Sequence, residues 1–327
     1  MESAMFCGVG CALVTPFCDG KVDFPAFEAL IERQIAAGTE ALIVCGTTGE
    51  PSTLTDGEAL DLVRFAVERT AGRAKVIAGA GANCTRTAVR RAALLSGTGA
   101  DALLCVTPYY NRANQEGLLR HFQAVADASR VPLILYNVPS RTAVNLLPET
   151  VTALLRHPMI RGVKEAAPDI RQMAELLRVA GDGCHVYGGN DDMALPALAL
   201  GASGVISVTA NVVPKYYGRM VRAAMTGALA EARERFRALA PLTRALFEDV
   251  SPIPVKAALS ILGLIRNELR LPLTPLSPAA SGRCPAATVH TRITSLSPQS
   301  SSCVVTGTGK RPSTTPVAEI PLSLIHI

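Results

Sequence analysis

Aromatic residues are scarce, only 4% of the 327-residue chain, and charged residues make up 18%. No basic stripe accompanies those few aromatics, which argues against nucleic acid as a partner. The formal charge of +5 does not alter this. In residues 276–327, Arg283, Arg292, Lys310 and Arg311 stand against Glu319 alone, a surplus of +3 that leaves +2 for the rest. No apolar run is long and uninterrupted enough to span a bilayer, so no membrane partner is expected. The start, Met1-Glu2-Ser3-Ala4-Met5, lacks the basic residues and apolar run of a secretory leader. The nine cysteines are odd in number and contain no C-x-x-C pair. Cys45 and Cys105 sit in apolar runs, where a free thiol behaves as a small hydrophobe. The expectation is a reduced, cytoplasmic protein without a zinc site.

What is abundant is apolar sequence, 49% of residues, and it is ordered in a pattern. Short apolar runs alternate with longer amphipathic stretches. The runs Gly10–Thr15, Ala41–Cys45, Val76–Ala80, Ala102–Val106, Leu133–Tyr136, Gly162–Lys164, His185–Tyr187 and Gly204–Val208 read as strands. Helical periodicity lies between them, as in Phe27–Ala36, Gly57–Arg69, Thr85–Leu95, Gln115–Ala128 and Pro148–Leu155. Regular alternation with strands apolar on both faces implies a parallel sheet. Eight units predict an α/β fold, a (β/α)₈ TIM barrel, over residues 5–213. The alternative, an open doubly wound sheet, would want a Gly-rich turn after the first strand, and Val14-Thr15-Pro16-Phe17 is not one. Alanine-rich helical patterns over Tyr217–Met225, Leu229–Leu239 and Ile253–Leu262 predict a C-terminal helical domain over 214–276.

In a barrel of this kind, chemistry gathers where strands end. The sixth run closes on Lys164, and lysine is disfavoured in a core because burying an unpaired ammonium costs several kcal/mol. A desolvated lysine serves as an amine nucleophile toward carbonyl compounds. The plainer alternative is that Lys164 pairs with Glu165 or caps its strand. The other strand ends carry Gly46-Thr47-Thr48-Gly49-Glu50, Thr107-Pro108-Tyr109-Tyr110-Asn111, Tyr136, Arg141, Gly188-Gly189-Asn190-Asp191 and Ile206-Ser207. The G-T-T-G segment reads as a tight turn or as a nest of N–H groups and hydroxyls for a carboxylate. Tyr136 is a barrel-filling aromatic or a proton donor and acceptor. Tyr109-Tyr110 suits an oligomer contact. Arg141 is a surface residue or a bidentate carboxylate clamp. No set of His, Cys or carboxylates with metal-ligand spacing converges there, so no metal and no cofactor is expected.

GTTGE, TPYYN, YNVPSR, GVKEA and GVISVTAN, in this order, resemble the dihydrodipicolinate synthases. These belong to the class I pyruvate-dependent aldolases that include N-acetylneuraminate lyase. The likeness runs from about Met5 to Thr274. It implies condensation of pyruvate with L-aspartate 4-semialdehyde, in lysine and diaminopimelate biosynthesis, by a homotetramer. It further implies that Lys164 forms the imine, that Tyr136 shuttles protons, and that Thr47 links Tyr136 to a Tyr110 from the neighbouring subunit. Thr48 would hold the pyruvate carboxylate, Arg141 the second substrate's carboxylate, and Ile206 and Gly189 would line the pyruvate pocket. Retention of Arg141 after the Y-N-x-P turn favours this branch over the sialic acid lyases. Other 2-oxo acid aldolases of the superfamily, and a non-catalytic keto-acid-binding barrel, are the alternatives. Asn83 and Tyr109 remain from the family's lysine-effector site, but Ala59 and Thr87 replace its acidic or imidazole groups. Weak or absent inhibition by L-lysine is therefore expected, unless Asp56 compensates.

The resemblance stops near Ser277 to Gly282, where Ser, Thr and Pro take over and periodicity vanishes. The final hexapeptide, Leu322–Ile327, matches one translation of the mosaic-end adapter of transposase-based sequencing libraries. Residues 277–327 are accordingly expected to be a non-native, frameshifted or disordered tail that truncates the C-terminal domain. Removing Arg283–Ile327 should leave turnover intact. Loss of turnover, or a tail as protease-resistant as the barrel in limited proteolysis, would contradict this.

Overall fold

The computed structural model of the chain describes residues 5–276. β1 (Gly8–Ala12) is followed by a small antiparallel hairpin, β2 (Phe17–Cys18) and β3 (Lys21–Val22), and by α1 (Phe24–Ala36). Then β4 (Ala41–Val44), α2 (Asp56–Thr70), β5 (Lys75–Gly79), α3 (Thr85–Leu95), β6 (Ala102–Val106) and α4 (Gln115–Asp127) alternate. β7 (Leu133–Asn137), α5 (Pro139–Thr142), α6 (Pro148–Leu154) and β8 (Ile160–Glu165) continue the series. It ends with α7 (Ile170–Ala180), β9 (His185–Gly188), α8 (Ala194–Ala199) and β10 (Gly204–Ser207). The later residues form α9 (Pro214–Met225), α10 (Leu229–Leu246) and α11 (Ile253–Ile261).

All strands but β2 and β3 pair in parallel, and β1 pairs with both β4 and β10. The sheet is therefore a closed eight-stranded barrel, and the open-sheet alternative is excluded. Strand alternation divides the apolar residues between two compartments. Ile43, Ile77, Leu104, Ile134, Tyr187 and Ile206 fill the barrel. Their neighbours Leu42, Val76, Leu103, Leu135, Val163 and Val205 point outward against the helices. Phe6 stacks on Tyr187 at 4.3 Å between ring centroids.

Two of the boundaries that differ from the sequence reading have plain physical reasons. β1 begins and ends earlier than Gly10–Thr15, because residues beyond Leu13 turn away from the ladder to other partners. The Val14 N–H donates to Asn211 Oδ1 at 3.3 Å, and the Thr15 hydroxyl donates to the Gly49 carbonyl at 2.8 Å. α10 runs on past Leu239 through Pro241 to Leu246. Proline removes one helical hydrogen bond there, but burial of Leu242, Ala245 and Leu246 continues the apolar face.

The seam at the mouth between β10 and its neighbours is held by two buried polar side chains. Asn211 Nδ2 donates to the Ala12 carbonyl at 2.7 Å and to the Val208 carbonyl at 3.0 Å. Asp191 Oδ2 accepts from the N–H groups of Val208 and Thr209 and from the Thr209 hydroxyl, while Oδ1 accepts from the Tyr217 hydroxyl at 2.7 Å. Burial and this carboxylate push the Tyr217 phenol well above its ordinary value. Asp191 thus ties the β9 mouth loop to α9. Replacing Asp191 with Ala strands four donors and should cost about 3 kcal/mol or more in urea denaturation, with Asp191→Asn milder. A loss below about 1 kcal/mol for Asp191→Ala would contradict the assignment.

Candidate active site

β7 and β8 lie side by side in a register that pairs Tyr136 with Lys164 and Asn137 with Glu165. Alternation then sends the first pair into the barrel and the second out of it. Lys164 and Tyr136 are 5% and 6% exposed, and the Lys164 Nζ lies 4.2 Å from the Tyr136 ring centroid. Glu165 does not pair with Lys164, so that plainer reading is wrong. Its carboxylate faces outward, accepting from Asn137 Nδ2, Gln172 Nε2 and the Ala167 N–H. Burial raises the Glu165 carboxyl, and these donors pull it partly back. Among the described residues Lys164 has no carboxylate partner.

A second lysine is buried more deeply still. Lys256, on α11, is fully enclosed and its Nζ lies 4.2 Å from the Phe17 ring centroid. Nothing in the apolar pattern of Ile253–Leu262 singles it out. Each lysine lies over an aromatic ring of its own, but their other partners differ. Lys256 Nζ sits 2.6 Å from Glu50 Oε1. Burial lowers the Lys256 amine, and Glu50 works against that. An amine whose proton is held by a carboxylate inside the protein offers no lone pair to a substrate.

The wall beside Lys164 is glycine for a reason of space. A Cβ on Gly189 would lie 2.8 Å from Ala166 Cβ and 3.1 Å from Lys164 Cε. Ile206 is 1% exposed inside the barrel, on the strand paired with β9. The Gly46–Glu50 segment folds as a single 3₁₀ turn over Thr47–Gly49 after β4, with Thr48 buried and Thr47 half-buried. As the first two residues of that turn, Thr47 and Thr48 have N–H groups with no acceptor inside it. Arg141 is exposed on α5, and its Nη2 donates to the Ser251 carbonyl at 3.3 Å.

Three hydroxyls expected to act together are not joined within one chain. Tyr110 has φ of 75° and is 88% exposed, and among the described residues no hydrogen bond links the hydroxyls of Thr47, Tyr136 and Tyr110. Asn83 and Tyr109 lie on neighbouring loops, with the Asn111 Nδ2 donating to the Asn83 carbonyl at 3.0 Å. Asp56 is engaged by Arg90 at 2.6 Å and Arg91 at 3.1 Å, so it is not a spare carboxylate beside Ala59. Among the described residues no group of three His, Cys, Asp or Glu side chains is arranged to hold a metal ion, and no helix is long and apolar enough to cross a membrane.

Residues 5–287 match the family model described as the dihydrodipicolinate synthetase family. The chain belongs to that family. The match extends past Ser277–Gly282, where the motif resemblance ends; the tail itself lies outside the described residues. The 4-hydroxy-tetrahydrodipicolinate synthase of Alkaliphilus oremlandii is 50% identical over 272 residues, covering 83% of this chain and 94% of that protein. The crystal structure of dihydrodipicolinate synthase from Aquifex aeolicus superposes with a TM-score of 0.86 at 43% identity, over 88% of this chain and 98% of that one. A monomeric dihydrodipicolinate synthase variant superposes with a TM-score of 0.85 at 40% identity, over 88% and 97%.

Proposed function

We propose that this chain is a 4-hydroxy-tetrahydrodipicolinate synthase in which Lys164 is the Schiff-base amine. The reaction condenses pyruvate with L-aspartate 4-semialdehyde in lysine and diaminopimelate biosynthesis. The observation that carries the residue assignment is the buried Lys164 amine, without a carboxylate partner among the described residues, against the Tyr136 ring. The Lys164 nitrogen adds to the pyruvate ketone, water leaves, and an imine forms. Loss of a methyl proton gives the enamine, whose carbon attacks the aldehyde of the second substrate. The second substrate's amino group then displaces Lys164 and closes the ring. Tyr136 passes protons in these steps as a positioned phenol.

Thr48 and the N–H groups of its turn hold the pyruvate carboxylate, and the carbonyl of Ile206 and the Gly189 backbone line the pocket. Arg141 binds the carboxylate of L-aspartate 4-semialdehyde. Thr47 connects Tyr136 to Tyr110 of a neighbouring subunit. The exposure of Tyr110, together with the absence among the described residues of a hydrogen bond from it to Thr47 or Tyr136, supports a role across a homotetramer interface. The engagement of Asp56 by two arginines supports weak or absent inhibition by L-lysine through the Asn83 and Tyr109 loops. A cytoplasmic location belongs to the same reading, supported by seven free cysteines among the described residues.

Borohydride reduction in the presence of pyruvate should attach one pyruvate-derived group, and peptide mapping should place it on Lys164. Trapping by Lys164→Ala at the wild-type level would overturn the assignment. Lys164→Arg should also fail, because guanidinium stays protonated. Arg141→Ala should lose about 1.5–3 kcal/mol of kcat/KM toward the aldehyde, the worth of a charge-assisted bond, with pyruvate trapping intact. Equal loss toward both substrates would make Arg141 a structural residue.

A further inference from the structure

The Gly46–Glu50 turn is bracketed by two non-glycine residues in the left-handed region, Cys45 at φ 56° and Glu50 at φ 55°. Each such conformation costs roughly 1–2 kcal/mol and persists only where surrounding structure over-determines it. On the Cys45 side the room comes from Gly79, since a Cβ there would run into the Cys45 carbonyl. On the Glu50 side the restraint comes from far along the chain. Glu50 Oε1 receives Lys256 Nζ at 2.6 Å, and Oε2 receives the Arg270 N–H at 3.1 Å. Arg270 is itself anchored through its guanidinium to Glu58, whose carboxyl it holds down to about 2, and to the carbonyls of Thr53 and Gly20. Lys256 and Arg270 both stack on Phe17, at 4.2 and 4.4 Å. Both oxygens of Glu50 are therefore gripped by the C-terminal segment, and the residue they belong to directly follows Thr47-Thr48-Gly49.

A buried ion pair is poor evidence of stability, because an apolar pair of equal volume is often as stable or more so. What a well-filled apolar pair would not do is fix the Glu50 backbone in its left-handed well. We infer that the Glu50–Lys256 pair is a latch by which α11 sets the shape of the Thr47–Thr48 turn, making both residues positioning residues for pyruvate. This rests on the reading of that turn as the pyruvate carboxylate seat. Neither side chain touches substrate; each acts through the backbone N–H groups of the turn, which must be placed within a fraction of an ångström to bind a carboxylate well.

The test is the pyruvate concentration dependence of borohydride trapping in the full chain, for wild type, Lys256→Met and the charge-free pair Glu50→Gln/Lys256→Met, with thermal melting alongside. The single variant leaves a buried carboxylate without its partner and should melt earlier. The double variant should recover a cooperative melt near wild type. In both, the pyruvate concentration for half-maximal trapping should rise about tenfold, while the trapped maximum stays near one group per chain. A double variant that melts like wild type and half-saturates like wild type overturns the latch. So does a lowered maximum without a shift in half-saturation, and so does failure of both variants to fold. No trapping by the wild type overturns the underlying reading of the site, and the latch with it.

Discussion

The β7–β8 register is the constraint on which the site depends. It places Tyr136 opposite Lys164 and Asn137 opposite Glu165, and strand alternation then assigns one pair to the barrel interior and the other to the outer wall. A slip of one residue would exchange them. Lysine would then face the helices beside Val163's neighbours, and a glutamate would fill the pocket. The outward pair is itself bonded, Asn137 to Glu165 and both to the α6–α7 side through Asn145 and Gln172. The register that presents the amine is thus held from behind by a polar network that never enters the pocket.

Around that amine the protein separates charges with some care. Lys256 is given a carboxylate and no access. Lys164 is given an aromatic face and, among the described residues, no carboxylate. Asp191, the carboxylate nearest in sequence to the Gly189 wall, is saturated by two N–H groups and two hydroxyls. Arg33 at the other side of the seam donates to the carbonyls of Asn211 and Val212 at 2.6 and 2.7 Å. The charges on Lys256, Asp191 and Arg33 are each satisfied by partners within the protein. Family membership says which chemistry this arrangement serves, and among the described residues Lys164 is the buried lysine without a carboxylate partner.

Much of this was legible in the sequence, because the signals were local. Eight apolar runs gave the strands to within one or two residues, except at β1. Lys164, Tyr136 and the G-T-T-G turn stood at strand ends, where a polar residue after an apolar run is conspicuous. Lys256 was not legible: its pairing with Glu50 spans 206 residues of sequence, and its own segment reads as an ordinary apolar helix. Asp191 reads in the sequence only as part of a Gly-Gly-Asn-Asp loop, and its four bonds depend on where α9 packs. The role of Tyr110 was legible through resemblance alone, since a single chain leaves that side chain in solvent. The β2–β3 hairpin has two residues per strand, too few for alternation to show.

The central claim is that the unpartnered lysine, and not the ion-paired one, is the nucleophile. A crystal of the protein soaked with pyruvate tests it most directly, because both lysines are then seen at once. The account predicts continuous density from Lys164 Nζ into a three-carbon adduct, with the carboxylate on the Thr47–Thr48 turn, and an unmodified Lys256 still paired with Glu50. Density joined to Lys256, or a bare Lys164 at a pyruvate concentration that saturates turnover, would contradict it.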